Sequence, residues 1–343
     1  MRTLLTLVLL STPAAAQDRR MYANTLTRIS NPKPLLADYP DYFEPISEED
    51  HFEAPPILND ARADLHVRAW RFSYNARGII EIPNHLRAKD TAVIMVHPWA
   101  IDDAWGWKSP EPNGVADFCT PRKNSLAAKH TKEVIDPFLK RLRDKAALVM
   151  YSLPGSADPI RTRVYRSFTK MPTKQDRIAG EKELRAKLAA YPYQGQPLPA
   201  TLTLGSETPV ADYFHQFPGL DATAKYNGNG FWNLPIPVST SVAVEPSDVV
   251  IYDAEGYAPL RDYLKKHGVR HVLLTGYATD MCYCRTTAGY DNLSKDFNVF
   301  LVADASLATF PANKSPKHAV NAAISFAALN QLITQVSWVK LDK

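Results

Sequence analysis

Short, uninterrupted apolar runs recur along the chain and alternate with longer amphipathic segments. Short runs without polar alternation are typical of parallel strands that are buried on both faces. The runs that we predict as strands are Ala92–Val96, Ala147–Tyr151, Asp248–Ile251, Val272–Thr275 and Val299–Val302. The helices predicted around them cover residues 124–145, 174–190, 258–266 and 317–336. This alternation predicts an α/β sandwich around a mostly parallel sheet.

The segment before the first of these strands has a different pattern. Between Leu65 and Ile82, apolar and polar residues alternate in period two on either side of the turn Asn75–Gly78. This pattern predicts an antiparallel hairpin, which we place at an edge of the sheet. The alternation slips by one residue at Trp70, and a β-bulge leaves such a slip in a sequence.

The domain organisation follows from the segments outside the predicted strands. Residues 17–60 are rich in Pro, Asp and Glu and have no periodicity, so we predict an extended N-terminal arm or a partly disordered leader. Residues 61–343 are predicted to form one α/β domain. Within it, residues 152–248 are predicted as an elaborated insertion, because neither a repeat nor a linker sets them apart.

The first residues of the chain predict export. Arg2 is followed by the largely apolar run Leu4–Leu10 and by Ala14–Ala16, which is the order of a secretory signal peptide (residues 1–16) cleaved after Ala16. The mature protein would then be periplasmic or secreted, and the run is too short to span a membrane. With 40 basic and 36 acidic side chains, the charge is too balanced to favour nucleic acid. We expect neither nucleic acid nor a membrane as a partner.

The cysteines are few, and one of them is well placed for chemistry. Cys119, Cys282 and Cys284 are too few for a disulfide framework, and their odd number leaves at least one thiol free. A bridge between Cys119 and Cys284 stays open. Cys282 follows an apolar strand, a glycine and two residues that favour helix N-termini, where backbone N–H groups and the helix dipole favour a thiolate. We predict Cys282 as a nucleophile; the alternative is a buried structural thiol.

Other candidate side chains follow the predicted strands, at the edge of the sheet where open α/β folds bind ligands. His97 comes directly after the first strand, and Asp253 comes shortly after the third. The candidate substrate-binding residues are Trp99, Trp105, Trp107 and Tyr257. Aromatic residues near a strand end belong to the core as often as to a pocket. His97 with Asp102 and Asp103 is an alternative metal site, but a third well-spaced ligand is not visible, so we predict no cofactor.

The stretch Gly276–Cys282, GYATDMC, resembles the signature G-V-x-T-D-x-C-V of the isochorismatase-like cysteine hydrolases. The resemblance continues through residues 286–288 and 299–305, and it also covers residues 92–151. It implies a Rossmann-like three-layer α/β/α sandwich that assembles into homo-oligomers. It also implies a small-molecule substrate whose amide carbonyl is attacked by a cysteine, and an oxyanion hole formed by the backbone N–H groups of Ala278 and Cys282.

Two positions depart from that family's pattern. His97 stands where the family has an aspartate, and Asp253 stands where it has a lysine. The family's occasional Asp-x-His metal site is missing from Ser152–Gly155. A histidine beside a cysteine can take its proton, and an aspartate can fix the tautomer of that histidine. Our hypothesis is therefore a triad in which Cys282 is the nucleophile, His97 the base and later the acid, and Asp253 the group that orients the imidazole.

The sequence thus predicts an exported cysteine hydrolase that acts on a carbon–nitrogen bond of a small molecule through a thioester. Two alternatives stay open. One is a family member whose active site has decayed and which serves in binding or assembly. The other is a metal-dependent hydrolase centred on His97. Nothing in the sequence identifies the substrate, which the segment 152–248 is expected to shape.

Overall fold

The apolar runs form strands because β-branched and large apolar side chains pack well on a pleated surface that is covered on both faces. A computed structural model describes residues 19–47, 49–98, 103–105, 121–191, 200–216, 234–279, 282–308 and 335–342. The strands of these residues are β1 (Thr27–Arg28), β2 (His51–Glu53), β3 (Leu65–Ser73), β4 (Gly78–Leu86), β5 (Thr91–Val96), β6 (Leu148–Leu153), β7 (Val249–Tyr252), β8 (His271–Tyr277), β9 (Asn298–Leu307) and β10 (Gln335–Leu341). Every residue of β5, β6, β7 and β8 is buried.

All the strands form one sheet in the order β1-β2-β4-β3-β10-β9-β8-β5-β6-β7. From β10 to β7 each neighbouring pair is parallel. The chain starts this parallel part at β5, moves outward through β6 and β7, and then crosses back to β8 on the other side of β5. The strand order therefore reverses between β5 and β8, and ligands of doubly wound folds bind at such a point. The predicted Rossmann-like α/β class is confirmed.

The other part of the sheet is mixed: β1–β2, β3–β4 and β3–β10 are antiparallel pairs, and β2 pairs in parallel with β4. β3 pairs with β4 in one continuous register from Leu65–Leu86 to Ser73–Gly78. The predicted edge position is wrong, because β10 covers β3 and β2 covers β4. The predicted bulge in β3 is also wrong. Trp70 is buried where Phe72 is exposed, which explains the slip in the pattern, and the register shift lies in β10, between Val336 and Val339.

The helices follow the amphipathic segments. The α-helices of the described residues are α1 (Pro121–His130), α2 (Asp136–Arg143), α3 (Arg161–Val164), α4 (Lys174–Ala189), α5 (Pro209–Gln216), α6 (Tyr257–Lys266), α7 (Cys282–Arg285) and α8 (Tyr290–Leu293). A π-helical turn, Thr131–Ile135, joins α1 to α2 and contacts β8 and β9. Short 3₁₀ turns cover Ala88–Asp90 and Asp253–Glu255. The described helices include none that is long and apolar enough to cross a membrane.

The ends of the chain are only partly described. The predicted signal peptide lies outside the described residues, as do residues 309–334, which hold most of the predicted closing helix. That helix was predicted to extend to Val336, but Gln335 and Val336 belong to strand β10, so its predicted end is wrong. The N-terminal arm packs on the domain, where Leu36 and Phe43 are buried in the same core as the parallel strands.

Candidate functional site

His97 is the first residue after β5, the strand at which the chain enters the parallel part of the sheet. Its backbone N–H donates a hydrogen bond to the carbonyl oxygen of Ser152 at 2.9 Å, and its φ of 47° turns the chain away from the strand direction. Only 3% of the residue is exposed. The next residue, Pro98, accepts a hydrogen bond from the amide of Ser239 at 2.9 Å. These two bonds hold the backbone of His97 and Pro98 at the carboxyl end of β5, from which the imidazole projects.

Asp253 lies at the same edge of the sheet, directly after β7. Both of its carboxylate oxygens and its backbone carbonyl accept hydrogen bonds. Its Oδ2 is 2.7 Å from His97 Nε2, and its Oδ1 accepts a hydrogen bond from Ser152 Oγ at 3.0 Å. The Thr287 hydroxyl donates to the Asp253 carbonyl oxygen. Because an ionised carboxylate only accepts hydrogen bonds, Nε2 of His97 carries the proton in this pair. The imidazole ring is thereby held in one orientation.

Cys282 opens helix α7 beyond the end of β8, and it is a half-buried free thiol. Its side chain lies beside the His97 imidazole and interacts with it electrostatically. The structure thus brings Cys282, His97 and Asp253 together in the order thiol, imidazole, carboxylate, although the three residues come from the ends of three different strands.

The charge state of His97 depends on these two neighbours. Burial alone lowers the pKa of the imidazolium, because it removes the charge from water. The negative charge of Asp253, its hydrogen bond, and the hydrogen bond and charge of Cys282 act in the opposite direction and outweigh burial. The net effect raises the pKa of His97 to about 10. At neutral pH the imidazole is therefore positively charged.

Cys284 lies in the same short helix as Cys282. Its thiol donates a hydrogen bond to the Thr279 carbonyl oxygen at 3.3 Å. The bridge to Cys119 stays open, because Cys119 lies outside the described residues.

Ala278 lies at the turn between β8 and α7. The peptide bond between Tyr277 and Ala278 is cis, and the Ala278 carbonyl accepts a hydrogen bond from the Tyr283 amide at 3.1 Å. Within the described part of the chain, no backbone carbonyl accepts a hydrogen bond from the Ala278 amide. The predicted oxyanion hole of Ala278 and Cys282 stays a prediction, and the amide of Ala278 is a donor that it can use.

The predicted substrate-binding aromatics are only partly described. Trp99 and Trp107 lie outside the described residues. Trp105 is buried, its indole N–H donates to the Val238 carbonyl at 3.0 Å, and the Arg185 guanidinium lies 4.3 Å from the centre of its ring. Tyr257 is half-buried and donates its hydroxyl hydrogen to Asp296 at 2.8 Å. Trp105 therefore ties the loop after β5 to residues 234–242, and the substrate-binding roles of all four residues stay predictions.

The alternative metal site at His97 has no further ligand among the described residues. Asp103 accepts hydrogen bonds from the amides of Trp105 and Thr240, each at 2.9 Å. Asp102 lies outside the described residues. In the described ranges, no group of three or more His, Cys, Asp or Glu side chains is arranged to hold a metal ion.

A second buried polar cluster lies beside the site and was not predicted from the sequence. The Tyr277 hydroxyl lies 3.0 Å from His130 Nδ1, accepts from Thr131 at 2.8 Å and donates to the Ala127 carbonyl at 2.9 Å. His130 Nε2 donates to the Asp304 carbonyl at 2.7 Å. Burial lowers the pKa of His130 to about 4, so this imidazole is neutral at pH 7, unlike that of His97.

Ser152 was also missed. Its position at the carboxyl end of β6, between the strands that carry His97 and Asp253, was the available signal. A serine in a run of apolar residues gives no periodicity signal of its own.

A comparison with protein families finds one similarity. Residues 240–334 match the family model described as Isochorismatase domain. The predicted resemblance to the isochorismatase-like hydrolases is thereby confirmed over these residues, which include the strand before Asp253, the Cys282 turn and the strand beyond it. No curated protein matches the chain.

Several solved structures are similar to this chain at low identity. A cysteine hydrolase from Pseudomonas syringae pv. phaseolicola 1448A is 15% identical, over 73% of this chain and 89% of that chain, with a TM-score of 0.34. Nicotinamidase PncA from Bacillus subtilis is 12% identical, over 72% and 98%, with a TM-score of 0.32. An octameric hydrolase of unknown specificity from Escherichia coli is 12% identical, over 74% and 78%, with a TM-score of 0.30.

Proposed function

We propose that this chain is a hydrolase that cleaves a carbon–nitrogen, amide-type bond of a small molecule through a covalent thioester on Cys282. The observation that supports the proposal is the position of His97, whose Nε2 lies 2.7 Å from the Asp253 carboxylate and whose ring neighbours the Cys282 side chain. A cysteine, a histidine and a third group that orients the histidine are the parts of an activated nucleophile.

The proposed reaction uses each side chain in one role. In the proposed resting state His97 already holds the thiol proton as an imidazolium, and the Cys282 thiolate attacks the carbonyl carbon to form a tetrahedral oxyanion. When the oxyanion collapses, the C–N bond breaks, and His97 returns the proton to the leaving nitrogen. The acyl group stays on Cys282 as a thioester. His97 then removes a proton from water, the resulting hydroxide attacks the thioester, and the acid leaves as the thiol is restored.

The electrostatics of the site fit the first step. The raised pKa of His97 means that its imidazolium is stable at neutral pH beside the sulfur that gives up the proton. Asp253 stabilises that imidazolium through its bond to Nε2. The amides of Ala278 and Cys282 would donate to the oxyanion, as expected for a turn that ends a strand and begins a helix.

The experiment that tests the proposal measures the rate of iodoacetamide alkylation of Cys282 against pH. We expect selective labelling of Cys282 at neutral pH in a Cys119→Ala, Cys284→Ala background. His97→Ala should move the rate profile to higher pH and slow the reaction at pH 7 by at least about tenfold, because the positive partner of the thiolate is lost. His267→Ala is the matched control. The His267 ring hydrogen-bonds to the Tyr263 carbonyl oxygen on helix α6 and packs against the Tyr263 ring. An unchanged profile in His97→Ala removes the pair from the mechanism.

Turnover is tested with a panel of small primary and secondary amides. We expect wild-type protein to release ammonia or an amine from at least one of them, Cys282→Ala to release none, and Cys282→Ala in the presence of substrate to form no thioester. Mass spectrometry of the rapidly quenched wild type should show the acyl group on the peptide that contains Cys282. Hydrolysis that persists in Cys282→Ala would overturn the proposal.

The proposal includes the state of the mature protein. We propose that the chain is exported, cleaved after Ala16 and assembled as a homo-oligomer. The mass of the protein recovered from the periplasm or medium of an expressing cell should correspond to a chain that begins at Gln17. Light scattering of the purified protein should give a multiple of that mass.

A further inference from the structure

Ser152 is the last but one residue of β6, and it hydrogen-bonds to both His97 and Asp253. β6 lies between β5 and β7, with Ser152 paired to Val96 on one side and to Ile251 on the other. The carbonyl oxygen of Ser152 accepts the His97 amide at 2.9 Å. Its hydroxyl donates to Asp253 Oδ1 at 3.0 Å. One residue therefore bonds the backbone of His97 and the side chain of Asp253.

The hydroxyl hydrogen bond decides how the carboxylate is turned. Asp253 has two oxygens, and the one that Ser152 does not contact is the one that lies 2.7 Å from His97 Nε2. The Asp253 backbone is held separately, by the Thr287 hydroxyl on its carbonyl and by the bond from the Ala254 amide to Gly155. With the backbone fixed by these bonds, the remaining freedom of Asp253 is rotation of its side chain, and the Ser152 hydroxyl opposes that rotation.

The burial of Ser152 makes its hydroxyl difficult to replace as the donor to Asp253. Ser152 is completely buried, so no water molecule can take the place of its hydroxyl without a change in packing. The Asp253 carboxylate is only partly exposed, so an oxygen that loses its donor is less well stabilised, and the carboxylate rotates or shifts to regain one. An alanine fits the space of a serine, so the packing of β6 alone does not require a hydroxyl at this position.

We propose that Ser152 is a positioning residue that aims the Asp253 carboxylate at the His97 imidazole. The proposal rests on the proposed function, since it assigns Ser152 a part in the same site. It concerns the orientation of a carboxylate and not the acyl chemistry, and its test therefore does not need a known substrate.

The test compares Ser152→Ala with Ser152→Thr, which keeps the hydroxyl, and with Ser167→Ala. Ser167 is a buried serine whose hydroxyl accepts a hydrogen bond from the Lys170 amide in a turn, so it controls for the loss of a buried hydroxyl. Two quantities are measured in the full chain. The first is the pH titration of the His97 ring by nitrogen-15 NMR. The second is the alkylation rate of Cys282 against pH, in the background without Cys119 and Cys284.

In Ser152→Ala we expect the His97 titration to move down by about one pH unit and the alkylation of Cys282 at pH 7 to slow by about tenfold. Ser167→Ala should leave both as in the wild type, and Ser152→Thr should restore most of each. Should the added methyl group of threonine prevent folding, the comparison of the two alanine variants still decides the proposal.

The possible results separate this proposal from the proposed function. If Ser152→Ala behaves like Ser167→Ala in the His97 titration, the positioning role is overturned, whatever Cys282 does. If Cys282 is unreactive in the wild type while the titration of His97 moves in Ser152→Ala, the positioning role stands and the cysteine chemistry fails.

Discussion

Gly276 lies so close to Val96 that a Cβ atom at position 276 would stand 2.2 Å from the Val96 carbonyl oxygen and 2.8 Å from its nitrogen. The two residues are paired in the parallel ladder of β5 and β8, and Gly276 has a φ of 102°, which side chains disfavour. Val96 directly precedes His97, and Gly276 precedes the turn that carries Cys282. The glycine therefore sets the distance between the two strands from which the thiol and the imidazole project.

The first prediction follows from this contact. Gly276→Ala should lower the free energy of unfolding by about 3–5 kcal/mol, because the side chain adds a clash with backbone to a strained φ. Gly268→Ala is the matched control, since Gly268 also has a positive φ, 72°, but nothing lies within 4 Å of its missing Cβ. That variant should lose only about 1 kcal/mol. Urea unfolding of both measures the difference, and equal losses would show that the contact with Val96 contributes nothing.

The second prediction concerns the buried hydroxyl of Tyr277, which joins β8 to the helix that packs on it. Tyr277→Phe removes the bonds to Thr131, His130 and the Ala127 carbonyl and leaves these groups buried without their partner. We expect a loss of about 1–3 kcal/mol of unfolding free energy. Tyr74→Phe, at an exposed hairpin position, should change it by less than about 0.5 kcal/mol. A Tyr277→Phe variant as stable as the wild type would contradict this account of the cluster.

Much of the parallel sheet can be predicted from the sequence, because its inner strands are apolar on both faces. The run Ala92–Val96 became β5 and the run Val272–Thr275 became most of β8. The carboxyl ends of the inner strands can also be predicted from the sequence. Because His97 and Asp253 follow such ends, the sequence indicates both as candidate site residues. Whether the two side chains meet depends on the order of the strands, which apolar runs do not contain.

The parts that were missed depend on distant partners. Gln335 and Val336 were predicted in a helix, yet they form the start of β10 between β3 and β9. A strand that is stabilised by pairing on both sides needs no strong local signal. The slip at Trp70 was attributed to a bulge in its own strand, whereas the register shift lies in the neighbouring strand. Local pattern and tertiary pairing gave different answers at this position.

The third prediction tests the role of Asp253 in the site. Asp253→Asn keeps the size of the side chain but removes its charge, so the His97 imidazolium loses the negative partner that stabilises it. We expect the His97 titration to move to lower pH and the alkylation of Cys282 at pH 7 to slow by at least about tenfold. Asp262→Asn, an exposed aspartate paired with Arg261, is the control and should leave both unchanged. If Asp253→Asn also leaves both unchanged, Asp253 does not orient His97.

The last prediction concerns Asp304, a buried carboxyl near the end of β9. Burial raises the pKa of Asp304 from its ordinary value of 3.8 to about 7, and the charge of Asp38 adds to this, while Lys33 and Arg141 oppose it. Its Oδ1 has no hydrogen-bond partner among the described residues. Between these two pH values the folded protein keeps a proton that the unfolded chain has released.

The sign of the pH dependence follows from that proton. The contribution of Asp304 to stability is fully present below about pH 4 and is lost as the pH rises through about 7, so the free energy of unfolding falls across this window. Asp304→Asn carries no titrating group. Relative to the wild type, it should therefore gain stability between pH 5 and pH 8, by on the order of 2–4 kcal/mol. Urea unfolding at both pH values measures this change. Asp291→Asn, at an exposed site, should show none, and parallel curves for Asp304→Asn and the wild type would exclude a protonated Asp304 in the folded protein.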